Sequence, residues 1–311
     1  AEITQFTKTL GWPVIAEDPL SFPDALAHAS IFLASPEIRS TLIPQSVLVI
    51  GRTTLSRSIN AFIKSSPITY VVDQRLATVD TDRQADRKFT ELPDLQGVIQ
   101  SDEWIAKWAK VSERAQKLIA SLDGWNEAVI ARTIAAALPI ETALFVSSSR
   151  PIRDLEGFAA PRTGIDVYAN RGLAGIDGNI STALGIAYAH KATIAVLGDL
   201  SFLHDLTGLI NKEAINCRFI VINNDGGGIF STLPQRGVNG FETVFGTPHG
   251  LNPAAIAQSM GVNAKQVTTV KELESEIKAP ISGISVVVCD VPNRESNADN
   301  LKAIYNSLSS I

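Results

Sequence analysis

The sequence predicts two doubly wound α/β domains, each a parallel sheet with helices on both faces. Three observations carry this. The chain has 311 residues, 45% of them hydrophobic and 19% charged, enough to bury two ordinary cores. Short β-branched runs alternate with helical patterns along most of its length. The runs are almost continuously apolar, as in parallel strands covered on both sides.

The elements follow in order. Ile3, Phe6 and Leu10 share one face of an amphipathic helix at the start. Strands are expected at 12–16, 47–50 and 69–72, with helices at 24–33 and 56–63. The stretch 80–100 carries Asp80, Asp82, Arg83, Asp86, Arg87, Lys88 and Glu91 and reads as a solvated loop. A long helix at 102–122 follows, whose Trp104 and Trp108 read as packing residues. The domain boundary is placed near Gly124, giving domains of 1–124 and 125–311. Further strands are expected at 144–147, 193–197, 219–222 and 285–289, with helices at 179–190 and 202–215.

Composition narrows the function. The net charge is −5 and no basic stripe is visible, which argues against nucleic acid as a partner. Cys217 and Cys289 have neither metal-ligand nor disulfide-framework spacing, so buried thiols in a reducing compartment are expected. No apolar stretch reaches the length of a membrane span, and the first residues lack a charged n-region followed by an apolar core, so no secretion signal is expected. A cytoplasmic location is the expectation.

One constellation carries chemistry. The apolar run 193–197 ends in Gly198 and Asp199; the run 219–222 ends in Asn223, Asn224, Asp225 and three glycines. A right-handed strand–helix–strand crossover brings both strand ends to one rim of the sheet, where open α/β sheets bind ligands. If the two strands are neighbours, Asp199 and Asn224 reach one ion. A carboxylate, an amide oxygen and a backbone carbonyl, that of Gly226, suit Mg²⁺ (or Mn²⁺) completed by diphosphate oxygens. Either half alone is an ordinary turn or helix cap; both in this order around one helix favour the metal.

Asp199 and Asn224 in this order resemble the signature of thiamine-diphosphate enzymes, with Leu200 where the family usually has glycine. Five segments narrow the resemblance: 149–154 (SRPIRD), 170–178 (NRGLAGIDG), 198–206 (GDLSFLHDL), 223–230 (NNDGGGIF) and 245–249 (FGTPH). Together they resemble the 2-succinyl-5-enolpyruvyl-6-hydroxy-3-cyclohexene-1-carboxylate synthases of menaquinone biosynthesis. The likeness is strong from Leu144 to Gly261 and looser over 11–94, through 51–57 (GRTTLSR).

The resemblance implies two domains of the thiamine-diphosphate-enzyme type: a central domain, then a diphosphate- and magnesium-binding one. It implies a transferase that decarboxylates 2-oxoglutarate on thiamine diphosphate and adds the succinyl-semialdehyde unit to isochorismate. Ser149, Arg153 and Arg171 match substrate-pocket positions, and Arg57 matches a further pocket cation. Ile176 matches the residue that props the cofactor. Gly198, Asp199, Leu200, Ser201 and Asn224 match cofactor-binding positions, and Asp199, Asn224 and Gly226 match metal ligands. Ile229, Phe230 and Leu233 match an apolar wall over the reacting carbon. His204 and His249 lie in the matching segments without an assigned role.

The family's activating glutamate belongs to a separate pyrimidine-binding domain, which nothing in this chain resembles. The chain therefore reads as a fragment whose central domain is N-terminally truncated. Alone it is expected to be inactive, and a homo-oligomer with a neighbouring subunit's pyrimidine domain is implied. Two other readings stay open: another thiamine-diphosphate enzyme, such as an acetohydroxyacid synthase or 2-oxo acid decarboxylase, and a non-catalytic nucleotide-binding module. A Rossmann dehydrogenase is a distant third, because the glycines at 226–228 lack the fingerprint spacing.

Overall fold

The computed structural model describes residues 2–75, 85–94, 101–211 and 213–309. Two compact units emerge: Ala1–Glu17, Asp24–Ser121 and Ile304–Ile311 form the first, and Asp18–Pro23 and Leu122–Ala303 the second.

The first unit runs through helices α1 (Glu2–Leu10), α2 (Ala29–Phe32) and α3 (Pro36–Thr41), strand β1 (Ser46–Ile50), helix α4 (Arg57–Ser65), strands β2 (Ile68–Val72) and β3 (Arg87–Phe89), and helix α5 (Asp102–Ser121). The strands are parallel in the order β1-β2-β3. Ser56 starts α4 by accepting a hydrogen bond from the Ile59 amide at 3.3 Å, which satisfies a donor the helix leaves open. Trp108 is buried, with Phe62, Trp104 and Phe32 around it at ring-centroid distances of 5.3, 5.8 and 5.9 Å; it packs, as expected.

Three expectations need correction in this unit. Residues 12–16 form no strand: Pro13 has no amide to donate, and the segment receives only the Leu26 amide on the Val14 carbonyl. The helix expected at 24–33 shrinks to α2, because His28 adopts φ of 64° and a left-handed residue cannot propagate a right-handed helix. The solvated loop at 80–100 contains the short strand β3; its residues 80–84 and 95–100 lie outside the described residues.

The second unit contains α6 (Glu127–Ala137), β4 (Thr142–Val146), α7 (Arg150–Phe158), β5 (Ile165–Tyr168), α8 (Asn179–Ala187), β6 (Thr193–Gly198), α9 (Asp199–His204), β7 (Cys217–Asn223), α10 (Pro253–Ser259), β8 (Asn263–Val267), α11 (Val270–Lys278), β9 (Ile284–Asp290) and the start of α12 (Arg294–Ser309), which from Ile304 on belongs to the first unit. Its six-stranded sheet is parallel throughout, in the order β5-β4-β6-β7-β9-β8. Successive strand residues point to opposite faces. Phe145, Ala195, Leu197, Phe219 and Val221 pack on one face with Ile180, Ala183, Leu184 and Phe202. Leu144, Val146, Val196 and Ile222 face Ala131, Ile134 and Leu155 on the other. With both faces covered, the central strands are apolar at nearly every position. The edge strands β5 and β8 went unpredicted because each leaves part of itself to solvent and carries polar residues there. Burial pushes the thiol of Cys217 up to about 12 and raises that of Cys289 as well, so both are inert apolar residues.

The helix expected at 202–215 also needs correction. It begins earlier, at Asp199, and ends at His204; a 3-10 turn, Leu206–Leu209, follows. The carboxylate of Asp205 is drawn to the first turn of α8, accepting from the Ser181 amide at 2.7 Å. Gly208 packs so closely that a Cβ there would lie 2.9 Å from both Ile180 Cγ2 and Ser181 Oγ.

Candidate functional site

Parallel pairing sends β5, β4, β6 and β7 out at the same rim of the second sheet. From β4 the chain turns to one side to form β5, and later to the other to form β6. The strand order thus reverses between β4 and β6, and a crevice opens at such a switch point. Ser149 and Arg153 follow β4, Arg171 and Ile176 follow β5, Asp199 follows β6, and Asn224 follows β7. Four separate loops converge because the strands are parallel and neighbouring, as the crossover argument required for β6 and β7.

Asp199 opens α9 and is 2% exposed. Its Oδ1 accepts from the Leu200 amide at 2.7 Å and its Oδ2 from the Gly226 amide at 2.8 Å. His249 Nε2 lies 3.2 Å from the same Oδ2. The Leu251 amide donates to His249 Nδ1 at 3.0 Å. That bond makes Nδ1 an acceptor, so the ring proton sits on Nε2 and points at Asp199. Burial raises the pKa of Asp199, opposed by the amides of Gly226 and Leu200 and by His249. A carboxylate desolvated in this way is stabilised by a cation placed against it.

Asn224 is buried. Its Nδ2 donates to Glu127 Oε1 at 2.6 Å, whereas its Oδ1 is buried without a hydrogen-bond partner among the described residues. Unpaired buried acceptors are costly and uncommon, and an amide oxygen is a good ligand for a hard cation. Asp225 has φ of 62°; burial pushes its pKa up, but the Gly250 and His249 amides outweigh this and hold it low. Gly226 has φ of 129°, and a Cβ on it would lie 2.2 Å from the Gly246 carbonyl oxygen. The Gly226 carbonyl accepts from the Gly228 amide at 2.9 Å, which leaves one of its two lone pairs. Arg294 braces the turn, donating to the Asp225 carbonyl and to Glu242.

A buried carboxylate, an orphaned amide oxygen and a half-used carbonyl fit the chemistry of Mg²⁺ with diphosphate. Among the described residues no cluster of three His, Cys, Asp or Glu side chains could hold a metal, so these donors would need oxygens from a ligand to complete the shell.

The remaining candidates spread around the rim. Ser201 Oγ accepts from Asn179 Nδ2 at 2.8 Å and donates to the Ile176 carbonyl at 3.3 Å, which ties the loop after β5 to α9. Ser149 has φ of 76° and ψ of −128°, a strained conformation for a residue with a Cβ. Arg153 Nη1 donates to the Ser149 carbonyl at 2.7 Å. Ile229 and Phe230 lie on a 3-10 turn, Gly228–Thr232, with Leu233 next after it; the Phe230 ring is 5.4 Å from that of Phe245. Arg171 is half-buried in the loop before Gly178. Arg57 belongs to the first unit, exposed at the start of α4.

Sequence reasoning overlooked Glu127, Asn179 and the part played by His249. Asn179 is fully buried, and its amide also reaches the Gly175 and Asp177 carbonyls. His249 lay in a recognised segment, which was the available signal. Glu127 gave none: it is one of many glutamates in a first helical turn and lies 97 residues from Asn224.

Two families match the chain. "Middle domain of thiamine pyrophosphate" matches residues 1–146, and "Thiamine pyrophosphate enzyme, C-terminal TPP binding domain" matches residues 153–291. Similar proteins include a 2-succinyl-5-enolpyruvyl-6-hydroxy-3-cyclohexene-1-carboxylate synthase of Thermobifida fusca, 37% identical over 85% of this chain and 50% of its own length. A synthase of the same name from Bacillus cytotoxicus is 32% identical over 95% of the chain and 55% of its own length. The chain spans about half the length of the curated relatives it matches.

Proposed function

The chain belongs to the thiamine pyrophosphate enzymes, and from that premise we propose that it forms the metal- and diphosphate-binding part of a 2-succinyl-5-enolpyruvyl-6-hydroxy-3-cyclohexene-1-carboxylate synthase. This is a transferase that joins a unit from 2-oxoglutarate to isochorismate in menaquinone biosynthesis. The observation that carries the reading is the placing of a buried carboxylate, Asp199, and a buried amide oxygen without a partner among the described residues, Asn224 Oδ1, at the ends of two adjacent strands. The names and coverage of the relatives support the substrate assignment.

We assign residues 1–124 to the central domain and 125–311 to the diphosphate domain. In the latter, Asp199, Asn224 and the Gly226 carbonyl hold Mg²⁺ or Mn²⁺, while Gly198, Leu200 and Ser201 line the diphosphate. Bound thiamine diphosphate supplies a thiazolium carbon that accepts the electrons released by decarboxylation. Ile176 would support the cofactor. Arg153, Arg171 and Ser149 receive the carboxylates of the two substrates, for which a guanidinium fork is suited. Ile229, Phe230 and Leu233 keep water from the reacting centre. A neighbouring subunit's pyrimidine domain supplies the activating glutamate. Two buried unpaired thiols support a reducing, cytoplasmic setting.

Replacing Asp199 by Ala tests the site. Calorimetric titration of thiamine diphosphate should show magnesium-dependent binding in the parent and none in the variant; undiminished binding would defeat the assignment. Substrate profiling of the full protein tests the reaction. Consumption of 2-oxoglutarate that depends on isochorismate is expected, whereas conversion of pyruvate with indifference to isochorismate would favour another thiamine-diphosphate enzyme.

A further inference from the structure

Asn224 has two chemically different ends on one amide, and a metal can use only the oxygen. Something must decide which end faces the ion. The first turn of α6 places Glu127 Oε1 2.6 Å from Asn224 Nδ2. A carboxylate only accepts hydrogen bonds, so the end facing it must be the NH₂. The oxygen is thereby turned the other way, where it is buried without a partner. Glu127 is itself 6% exposed and is held in turn. Its Oε2 lies 3.7 Å from Arg150 Nε, and Arg150 also pairs with Asp154. Its backbone amide donates to Asn297 Oδ1 at 3.2 Å. Space beside the same nitrogen is reserved as well: a Cβ at Gly228 would lie 2.4 Å from Asn224 Nδ2.

We propose that Glu127 is a positioning residue for the metal, acting through Asn224: it fixes the amide so that Oδ1 is presented to the cation. This rests on the assignment of Asp199 and Asn224 as metal ligands. A carboxylate buried only to support the fold would need no amide across from it with an orphaned oxygen. Here the pairing leaves one good donor atom aimed away from every protein partner. Outer-shell groups that orient a ligand in this way alter metal affinity about 10- to 100-fold when removed.

The test titrates Mn²⁺ into the full protein in the presence of thiamine diphosphate and follows bound metal by electron paramagnetic resonance, with thermal melting in parallel. Glu127→Ala should weaken Mn²⁺ binding by about 10-fold or more. Glu127→Gln keeps a carbonyl oxygen that accepts from Nδ2 and should restore most of the affinity. A purely structural role would lower the melting temperature of both variants and leave metal affinity alone. Equal Mn²⁺ affinity in Glu127→Ala and the parent, or equal weakening by Gln and Ala, would overturn the proposal. Should Glu127→Ala fail to fold, Glu127→Met, which fills similar space but offers Nδ2 no acceptor oxygen, carries the same expectation of weakened binding. Asp199→Ala run beside them separates the two claims. If it retains Mn²⁺ binding, the site assignment fails. If it loses binding while Glu127→Ala does not, only the role of Glu127 fails.

Discussion

A carboxyl group taken out of water must find a proton, a cation or several donors, and this protein answers that demand differently at its buried acids. Asp199 has two backbone amides and His249. Glu127 is paired with an amide and a guanidinium. Asp154, 1% exposed, keeps an unpartnered Oδ2 beside the apolar wall formed by Ile134, Val146 and Leu155. Burial pushes its carboxyl up to about 7; Arg150 pulls it down, the charge of Glu127 pushes it up, and Arg153 pulls it down. A pKa raised on folding contributes stability below the unfolded value that is lost as pH rises through the folded one. Stability should therefore decline from about pH 4 to pH 7 on account of Asp154, by at most about 1.4 kcal/mol per pH unit. Asp154→Asn should remove that slope, as read from urea unfolding at several pH values. An unchanged slope would mean that Asp154 keeps its ordinary pKa in the fold. Asp199 shifts in the same direction, so a smaller residual slope is expected in the variant.

At the scale of elements, one of the two strand–turn units that build the site, the one after β7, depends on close backbone approach. The turn after β7 places Gly226 and Gly227 against the chain at Phe245–Thr247; a Cβ at Gly227 would lie 2.2 Å from the Phe245 carbonyl oxygen. Glycine at 226 is required twice over, by its φ of 129° and by the Gly246 carbonyl beside it. Gly226→Ala should cost at least about 1–3 kcal/mol and abolish magnesium-dependent cofactor binding, measured by urea unfolding and calorimetry. A variant as stable as the parent with intact binding would show that the turn relaxes freely. The glycine run 226–228 was legible as a sharp turn in the sequence. Its partner at 245–249 was legible only as a segment, because the approach of two loops 20 residues apart has no local signature. The helix after Asp199 was misjudged for a related reason: Asp205 is claimed by α8, a competitor that a local pattern does not reveal.

Across the molecule, a ligand bound only by the folded state stabilises it by mass action, about 2.7 kcal/mol at 100 times the dissociation constant. Magnesium and thiamine diphosphate together should raise the melting temperature, and neither alone should match the pair. Hydrogen exchange should slow at 198–202, 223–228 and 246–251 of the second unit. Slowing confined to β1, β2 and α4 of the first unit would place the ligand elsewhere.

The alternation of apolar runs and helices determined the parallel α/β class, since strands covered on both faces leave a periodicity visible in the chain itself. The motif residues determined Asp199 and Asn224 as a pair, because strand ends joined by one crossover must share a rim. Strand order was decided only in three dimensions. The reversal between β4 and β6 brings the loops holding Ser149, Arg171 and Asp199 out at one rim of the sheet, and pairing between distant strands leaves no mark at either one alone. The tertiary structure also decided what holds the site. His249 turns its proton to Asp199, and Glu127, 97 residues before Asn224, sets which end of that amide faces outward. Both are contacts between side chains far apart in sequence, made by groups whose chemistry is common everywhere in the chain and specific only where folding makes them meet.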